Sequence, residues 1–246
     1  MRKVGIVGCG VIAKKLLIAR ESGKLTLPIV GVTNRSEQNA KDFLSTLKNP
    51  PQYFSRQKLI QESDLIVEAA SGSIVPELAK EVFKLGKDLM IISIGALIEN
   101  PDIISLAQKN KCKIYAPSGA IAGLDGIKSA SIGKIYSVTM ITKKPLDALE
   151  GSPYLVDRQI SVLKFKDEQE IFSGTAREAC IGFPANINVS AAVSFAGIGP
   201  DKTKIQIYAS PKIKRNCHQI NVEGEFGKLQ INIENIPTEN PRTGRL

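Results

Sequence analysis

The pattern of apolar and polar residues in residues 1–117 differs from that in the rest of the chain. Short apolar runs alternate there with segments whose apolar residues recur at helical spacing, as Ala13, Leu16 and Leu17 do. The predicted strands span residues 3–7, 28–33, 64–70, 89–94 and 113–116, with helices between them, the last two at 76–85 and 101–109. Strands that alternate with amphipathic helices indicate a parallel sheet covered on both faces. We therefore predict a doubly wound α/β domain over residues 1–117.

The pattern changes after Pro117. Strands are predicted at residues 135–143, 160–165, 204–209, 218–222 and 228–233, and helices at 175–181 and after Pro184. Because these strands are not interleaved one-to-one with helices, they indicate an α+β domain on a mostly antiparallel sheet, residues 118–246.

Composition agrees with a globular protein of this size. The 246 residues are 43% hydrophobic and 23% charged, which excludes disordered and collagenous classes. Four scattered cysteines form no disulfide framework, and a single histidine argues against a zinc site, so we expect no metal. The net charge of +9 is spread along the chain, which favours a solvated surface or a mild bias toward anionic ligands. We expect no nucleic-acid partner, because no basic stripe is visible.

Targeting signals are not evident in the sequence. The N-terminus lacks the apolar stretch and cleavage site of a signal peptide, and the long uncharged stretch 179–200 is interrupted by Gly, Pro, Asn and Ser. We expect a cytoplasmic protein with reduced thiols and no membrane partner.

A glycine-rich turn follows the first predicted strand and opens the first helix. It reads Gly8-Cys9-Gly10-Val11-Ile12-Ala13, the G-x-G-x-x-A form of the dinucleotide fingerprint. Gly8 permits a tight turn, Gly10 lets the backbone approach a pyrophosphate, and the helix N-terminus at Val11 and Ile12 offers N–H groups. At this position the motif predicts a Rossmann domain that binds NAD or NADP. The alternative is a merely structural glycine turn.

The end of the second predicted strand bears on the choice between NAD and NADP. Many NAD-binding domains carry there an acid that hydrogen-bonds the ribose 2′-OH. This chain has Asn34, followed by Arg35 and Ser36, which could bind a 2′-phosphate. We predict use of NADP at least comparable to NAD. In the alternative interpretation, Arg35 stacks on the adenine or points to solvent.

His218 is the one available imidazole. Strand alternation places it on the same face as Ile220 and Val222, with Gln219 and Asn221 on the other face. A buried position would lower the pKa of the imidazole and keep it neutral, as a general base requires. The alternative is a satisfied core histidine.

A second possible ligand contact lies after Pro184. Asn186 is a plausible helix N-cap, and Asn188 falls in the first turn, where its amide could contact a ligand. Capping and packing explain both residues equally well.

Several motifs together resemble the L-aspartate dehydrogenase family. Besides the glycine-rich turn, they are Ala116-Pro117-Ser118-Gly119-Ala120-Ile121-Ala122-Gly123-Leu124-Asp125, Gly174-Thr175-Ala176-Arg177-Glu178-Ala179, Phe183-Pro184-Ala185-Asn186-Ile187-Asn188-Val189, Ala196-Gly197-Ile198-Gly199-Pro200-Asp201, Asn216-Cys217-His218-Gln219-Ile220, Glu223-Gly224-Glu225-Phe226-Gly227 and Glu239-Asn240-Pro241-Arg242-Thr243. They recur in order over nearly the whole chain.

The resemblance implies NAD(P)-dependent oxidative deamination of L-aspartate. The product iminosuccinate is hydrolysed to oxaloacetate and ammonia, or is passed on as a precursor of the nicotinamide ring. It also implies that His218 is the catalytic residue, that Ala122 and Asn188 contact the dinucleotide, and that the second domain supports a homodimer. The cations that bind the substrate carboxylates are not identified, and Lys143, Lys144 and Arg177 are the candidates.

Two features depart from the family pattern. Asn34 replaces the common acid, and residues 240–246 stand where many relatives continue into a closing helix. If that helix packs under the cofactor domain, we expect its absence to lower stability or alter assembly. The C-terminal end could also pack back on the first domain. Two other functions stay open: a different two-domain reductase of a small imine or semialdehyde, and a non-catalytic dinucleotide sensor.

Overall fold

The computed structural model describes residues 1–184 and 188–236. The chain divides into two compact units, Met1–Pro117 and Ser118–Leu246. The predicted cap residue Asn186 and the C-terminal segment 240–246 lie outside the described residues.

The first unit is built on a six-stranded sheet. Its strands are β1 (Val4–Val7), β2 (Ile29–Thr33), β3 (Gln52–Tyr53), β4 (Leu65–Glu68), β5 (Asp88–Ile91) and β6 (Ile114–Tyr115). All neighbours pair in parallel, in the order β3-β2-β1-β4-β5-β6. The direction of winding reverses between β1 and β4, the place where ligands bind to doubly wound sheets. The predicted parallel sheet is confirmed.

Six helices connect these strands. They are α1 (Val11–Glu21), α2 (Glu37–Leu44), α3 (Arg56–Glu62), α4 (Val75–Lys84), α5 (Gly95–Glu99) and α6 (Asp102–Lys109). The predicted cap of α2 is present, since Ser36 Oγ accepts a hydrogen bond from the Asn39 backbone N–H at 3.3 Å. β3, α3 and α5 are not predicted by the sequence pattern. In α3 only Leu59 and Ile60 are buried, too few to give a helical period.

The second unit is built on a five-stranded sheet. Its strands are β7 (Ile135–Lys144), β8 (Gln169–Thr175), β9 (Lys204–Ala209), β10 (Asn216–Gly224) and β11 (Gly227–Asn235), in the order β11-β10-β7-β9-β8. β7 and β9 are parallel and the other neighbours are antiparallel, as the mostly antiparallel prediction requires. Its helices are α7 (Leu124–Ala130), α8 (Pro153–Asp157), α9 (Ala176–Gly182) and α10 (Asn188–Ala196).

The strand predicted at residues 160–165 is wrong. Val162–Lys164 forms one 3₁₀ turn, in which Val162 is buried while Leu163 is exposed. Ile160 is exposed as well, so these apolar residues do not line one face of a strand. The apolar pattern does not predict β8, because its first residues are polar and the strand lies at the edge of the sheet.

No helix within residues 1–184 and 188–236 combines the length and apolar character needed to cross a membrane. The four cysteines, all within the described part, form no disulfide.

Candidate functional site

The glycine-rich turn joins β1 to α1 at the switch point of the first sheet. Gly8 has φ +105°, and a side chain there would collide with the Ala69 carbonyl group, so the turn itself requires this glycine. Gly10 differs, because a Cβ at that position would meet nothing closer than the Ala69 oxygen at 3.9 Å. The fold therefore does not need a glycine at residue 10. A bare backbone facing open space before a helix N-terminus fits a pyrophosphate, which favours dinucleotide binding over a structural turn.

Asn34 is fixed at the end of β2. Its Oδ1 accepts a hydrogen bond from the Cys9 backbone N–H at 3.2 Å, and its Nδ2 donates to the Ser36 carbonyl at 2.9 Å. The Tyr53 hydroxyl donates to the Asn34 carbonyl at 3.2 Å. These bonds hold a neutral amide beside the glycine-rich turn, where an acid would repel a 2′-phosphate.

A cavity of about 560 Å³ opens over this part of the sheet. Its volume is in the range of cofactor pockets. It is lined by the glycine-rich turn, the ends of β2 and β4 and two arginines, namely Val7, Gly8, Cys9, Gly10, Thr33, Asn34, Arg35, Arg56, Ala69, Ala70, Ser71, Ser73 and Ile74. Arg56 is paired with Glu77 at 2.8 Å and Glu81 at 2.7 Å, whereas Arg35 is exposed with no ion pair to a described residue. Arg35 is thus available to an anionic ligand.

Glu68 fixes the loop after β4, which lines this cavity through Ala70. It ends β4 and is fully buried. Its two carboxylate oxygens accept hydrogen bonds from the Ala70 N–H at 2.8 Å, the Ser93 N–H at 2.9 Å and the Ser93 hydroxyl at 3.0 Å. One carboxylate therefore joins the loops that follow β4 and β5.

His218 lies on the buried face of the second sheet. The residue is 4% exposed, and Ile220 and Val222 share its face, as strand alternation predicts. Its Nδ1 is 3.2 Å from Oγ1 of Thr142, the residue directly opposite on β7. Burial, and to a lesser degree the charge of Lys144, lowers the pKa of His218 from 6.5 to about 3. The imidazole is neutral, as a general base must be, although a pKa this low makes it a weak base until substrate binds.

The three candidate carboxylate-binding cations lie in different environments. Lys143 points to the opposite face of β7, where it pairs with Glu168 at 2.6 Å. Arg177 pairs on the surface with Asp201, its Nε 2.6 Å from a carboxylate oxygen. Lys144 is 3% exposed on the same face as His218, and burial lowers its pKa from 10.5 to about 8.

The remaining predicted contacts are spread over both units. Val11 and Ile12 begin α1 and have exposed side chains, so the backbone is what they offer to a ligand. Ala122 is exposed in the loop before α7, and Asn188 is the exposed first residue of α10. The Ala122 loop is held in place by Asn235, whose Nδ2 donates to the Ala120 carbonyl at 2.6 Å.

Glu68 and Thr142 are two residues of these sites that the sequence did not identify. Glu68 is a charged residue inside an apolar strand run, and that mismatch is the signal that could have identified it. Thr142 gives no comparable signal, because its role depends on pairing with a strand about 76 residues away, the separation of the hydrogen-bonded pair. Within the described residues no cluster of side chains could hold a metal ion.

Comparison with protein families accounts for both units. Residues 8–117 match the family described as "Homoserine dehydrogenase, NAD binding domain". Residues 125–246 match the family described as "Aspartate dehydrogenase, C-terminal".

Individual relatives cover the whole chain. The chain is 42% identical to an L-aspartate dehydrogenase of Bradyrhizobium diazoefficiens over 98% of its own length and 86% of that protein's. It is also 42% identical to an L-aspartate dehydrogenase of Methanosarcina mazei, over 100% of this chain and 93% of the relative. The chain belongs to the L-aspartate dehydrogenase family.

Solved structures agree with this membership. The aspartate dehydrogenase from Thermotoga maritima superposes with a TM-score of 0.74 at 25% identity, covering 95% of this chain and 89% of that one. The myo-inositol dehydrogenase from Lactobacillus casei, solved with NAD(H) and myo-inositol, has a TM-score of 0.59 at 15% identity over 97% of this chain and 76% of that one. This second similarity establishes the fold alone.

Membership in the L-aspartate dehydrogenase family decides between the functions left open by the sequence. The chain is an oxidoreductase of the aspartate dehydrogenase type, and its first unit is an NAD- or NADP-binding Rossmann domain.

Proposed function

We propose that this member of the L-aspartate dehydrogenase family catalyses the oxidative deamination of L-aspartate through iminosuccinate to oxaloacetate and ammonia. The observation that carries the proposal is the neutral, buried imidazole of His218, fixed by Thr142. A bound nicotinamide would accept the hydride from the substrate α-carbon.

Residues of the first unit bind and orient the dinucleotide in this proposal. The open backbone at Gly10 and the N–H groups of Val11 and Ile12 bind the pyrophosphate, and Gly8 sets the shape of the turn. Asn34 hydrogen-bonds the adenosine ribose. Ala122 and Asn188 of the second unit contribute further contacts to the dinucleotide, as in the family that the sequence resembles.

His218 activates the water that hydrolyses the imine. The required tautomer has Nδ1–H donating to Thr142 Oγ1, which leaves Nε2 as an acceptor for a proton of water. Oxygen then bonds to the carbon of the protonated imine, the C=N π electrons return to nitrogen, and Nε2 takes the proton of the water. His218 then returns this proton to the amine nitrogen of the carbinolamine. The carbinolamine collapses with loss of ammonia as its hydroxyl group gives up its proton, which leaves oxaloacetate. The two carboxylates of the substrate bring negative charge, which raises the pKa of the imidazole above its value in the free protein.

Activity with L-aspartate tests this function. The assay follows the absorbance of the reduced cofactor with L-aspartate and NAD or NADP, and in reverse with oxaloacetate and ammonia. His218→Ala should lower kcat/KM by roughly 100-fold or more, the usual contribution of general acid–base catalysis, with dinucleotide affinity retained. Cys217→Ser, on the opposite face of the same strand, is the matched control. No turnover in either direction would contradict the proposal.

The cofactor preference rests on the end of β2. We infer use of NADP at least comparable to NAD, because Asn34 is neutral and Arg35 is exposed beside the cavity. A ratio of kcat/KM that strongly favours NAD and does not change in Arg35→Ala would refute this inference.

The cellular role follows from the same resemblance. We propose a cytoplasmic homodimer that supplies iminosuccinate to an enzyme that builds the nicotinamide ring, and hence to NAD biosynthesis. Light scattering after size-exclusion chromatography tests the dimer. Conversion of iminosuccinate by an added ring-forming enzyme, compared with its hydrolysis, tests the supply role.

A further inference from the structure

One end of the buried face of the second sheet is polar. Its residues include Thr142 on β7, Asn216 and His218 on β10 and Asn235 on β11, each at most 4% exposed. Polar side chains are seldom buried together unless they bind one another or a ligand. Thr142 and His218 bind each other, which leaves the two asparagines to be explained.

Asn216 has an unsatisfied acceptor on this face. Its Oδ1 is buried and has no hydrogen-bond partner among the residues that the structure describes. An orphaned buried carbonyl oxygen is costly in a native protein and indicates that a donor binds there. This favours a ligand site at the polar end of the sheet over a closed part of the core.

Asn235 is next to Asn216 but binds a loop. Strand pairing places the two asparagines opposite each other, and His218 is two residues further along β10. Side chains opposite each other on one face have Cβ atoms roughly 5 Å apart, and diagonal neighbours about 7–8 Å. The Nδ2 atom of Asn235 donates to the Ala120 carbonyl at 2.6 Å. The backbone at Ala120 is thus tied to the same end of the sheet as His218.

The other end of this loop is packed against β11 as well. Gly123 has φ +77°, and a side chain there would collide with Ile231. Between the two ends, Ile121 is buried whereas Ala122 is exposed. β11 therefore fixes the loop from Ala120 to Gly123 at both ends and leaves Ala122 accessible to a ligand.

The proposed reaction acts twice on one carbon of the substrate. This carbon first gives up a hydride, and it is then attacked by the water that His218 activates. A nicotinamide that accepts the hydride must therefore bind near His218, whereas the adenosine ribose binds Asn34 in the proposed function. A loop fixed beside His218 is suited to contact the nicotinamide end of the cofactor and not its adenosine end.

We propose that Asn235 is a positioning residue, which acts through the Ala120 carbonyl to hold the loop from Ala120 to Gly123 where the nicotinamide binds beside His218. This inference rests on the proposed function, since it requires a nicotinamide that reacts near His218. It gives a role to a buried amide on the edge strand of the sheet. Loss of its hydrogen bond should affect the nicotinamide end of the cofactor alone.

Two ligands that differ only in the nicotinamide test this role. Calorimetry compares NAD with ADP-ribose, which is NAD without its nicotinamide ring, in wild type and in Asn235→Leu. The Kd for NAD should rise by at least about fivefold, the scale of removing the partner of a buried carbonyl, whereas the Kd for ADP-ribose should change less than about twofold. Asn232→Leu, on the exposed face of the same strand, is the matched control and should change neither value.

The single imidazole reports whether the second sheet stays folded. The Cε1 proton of His218 should not titrate between about pH 8 and pH 5 in Asn235→Leu, because the ring stays buried. Asn235→Ser is the second variant, since its side chain is smaller than leucine and too short to reach Ala120. It should give the same selective loss of NAD binding.

Turnover provides a further readout. At saturating dinucleotide, kcat with L-aspartate should fall by roughly tenfold or more in Asn235→Leu, because a misplacement of about 1 Å can cost about a hundredfold in rate. Asn232→Leu should keep the wild-type kcat.

The outcomes separate this inference from the proposed function. Equal weakening of NAD and ADP-ribose binding, or no weakening of either, would overturn the positioning role even if wild type oxidises L-aspartate. Loss of the folded state in both Asn235→Leu and Asn235→Ser would overturn it as well, because Asn235 would then be required for folding. Selective weakening of NAD binding without aspartate turnover by wild type would support the role of Asn235 and refute the proposed reaction.

Discussion

Acidification to about pH 5 should leave the imidazole of the folded protein uncharged, because burial holds the pKa of His218 at about 3. His218 is the one histidine of the sequence, so its ring gives a single set of imidazole resonances in a proton NMR spectrum. The chemical shift of the Cε1 proton should not titrate between about pH 8 and pH 5 in the folded apo protein. In the urea-unfolded chain, the same resonance should titrate near the ordinary value.

The size of the effect on stability follows from the same pKa. Below 6.5 the unfolded chain binds a proton that the folded protein does not bind, so this site lowers the free energy of unfolding as the pH falls. For a pKa of 6.5 in the unfolded chain and about 3 in the folded protein, the loss between about pH 7.5 and pH 5 is about 2 kcal/mol. His218→Gln, which cannot titrate, should lack this part of the pH dependence.

Urea unfolding of wild type and His218→Gln at both pH values measures the effect. The stability of wild type relative to the variant should fall by about 2 kcal/mol on acidification. Two results would refute the reasoning: a difference that is constant within about 0.5 kcal/mol, or a folded-state Cε1 resonance that titrates near pH 6.5. Either would mean that water reaches the imidazole in the free protein.

Three further predictions concern the cofactor cavity and Lys144. Asn34→Asp should shift the ratio of kcat/KM toward NAD over NADP by roughly tenfold or more, measured with both cofactors, because it places a negative charge where the 2′-phosphate binds. Gly10→Ala should retain the wild-type melting temperature but weaken dinucleotide binding in calorimetry, whereas Gly8→Ala should lower the melting temperature, because residue 8 has a positive φ and no room for a Cβ. Lys144→Met should raise the free energy of unfolding near pH 7 by up to about 3 kcal/mol, as measured by urea unfolding. The reason is that the fall in the pKa of Lys144 from 10.5 to about 8 reflects the cost of burying its charge.

The sequence was most informative where local chemistry decides the structure. The glycine-rich turn at residue 8, the cap at Ser36 and the face of His218 each depend on a few neighbouring residues, and each is found as predicted. The strand expected at 160–165 failed because apolar composition alone does not reveal which residues will be buried. Burial there depends on packing against distant parts of the chain.

The sequence alone does not reveal which polar residues share the buried face of His218 on the second sheet. Lys144 was one of three equivalent candidates until pairing of β7 with β10 placed it on the face of His218. Asn216 is part of a family motif but was not a candidate site residue, since only the structure shows that its Oδ1 accepts no hydrogen bond from a described residue. Properties that depend on strand register, such as these, are set by contacts between residues far apart in sequence.

The Glu68 carboxylate has a consequence for the rate at which the cofactor binds. Since it accepts hydrogen bonds from Ala70 and Ser93, the loops after β4 and β5 are held by contacts within the protein itself. A cofactor meeting this cavity need not wait for those loops to fold, so association can proceed at the speed of a simple docking encounter. Differences in cofactor affinity among variants of this cavity should then arise mainly from how long the complex lives.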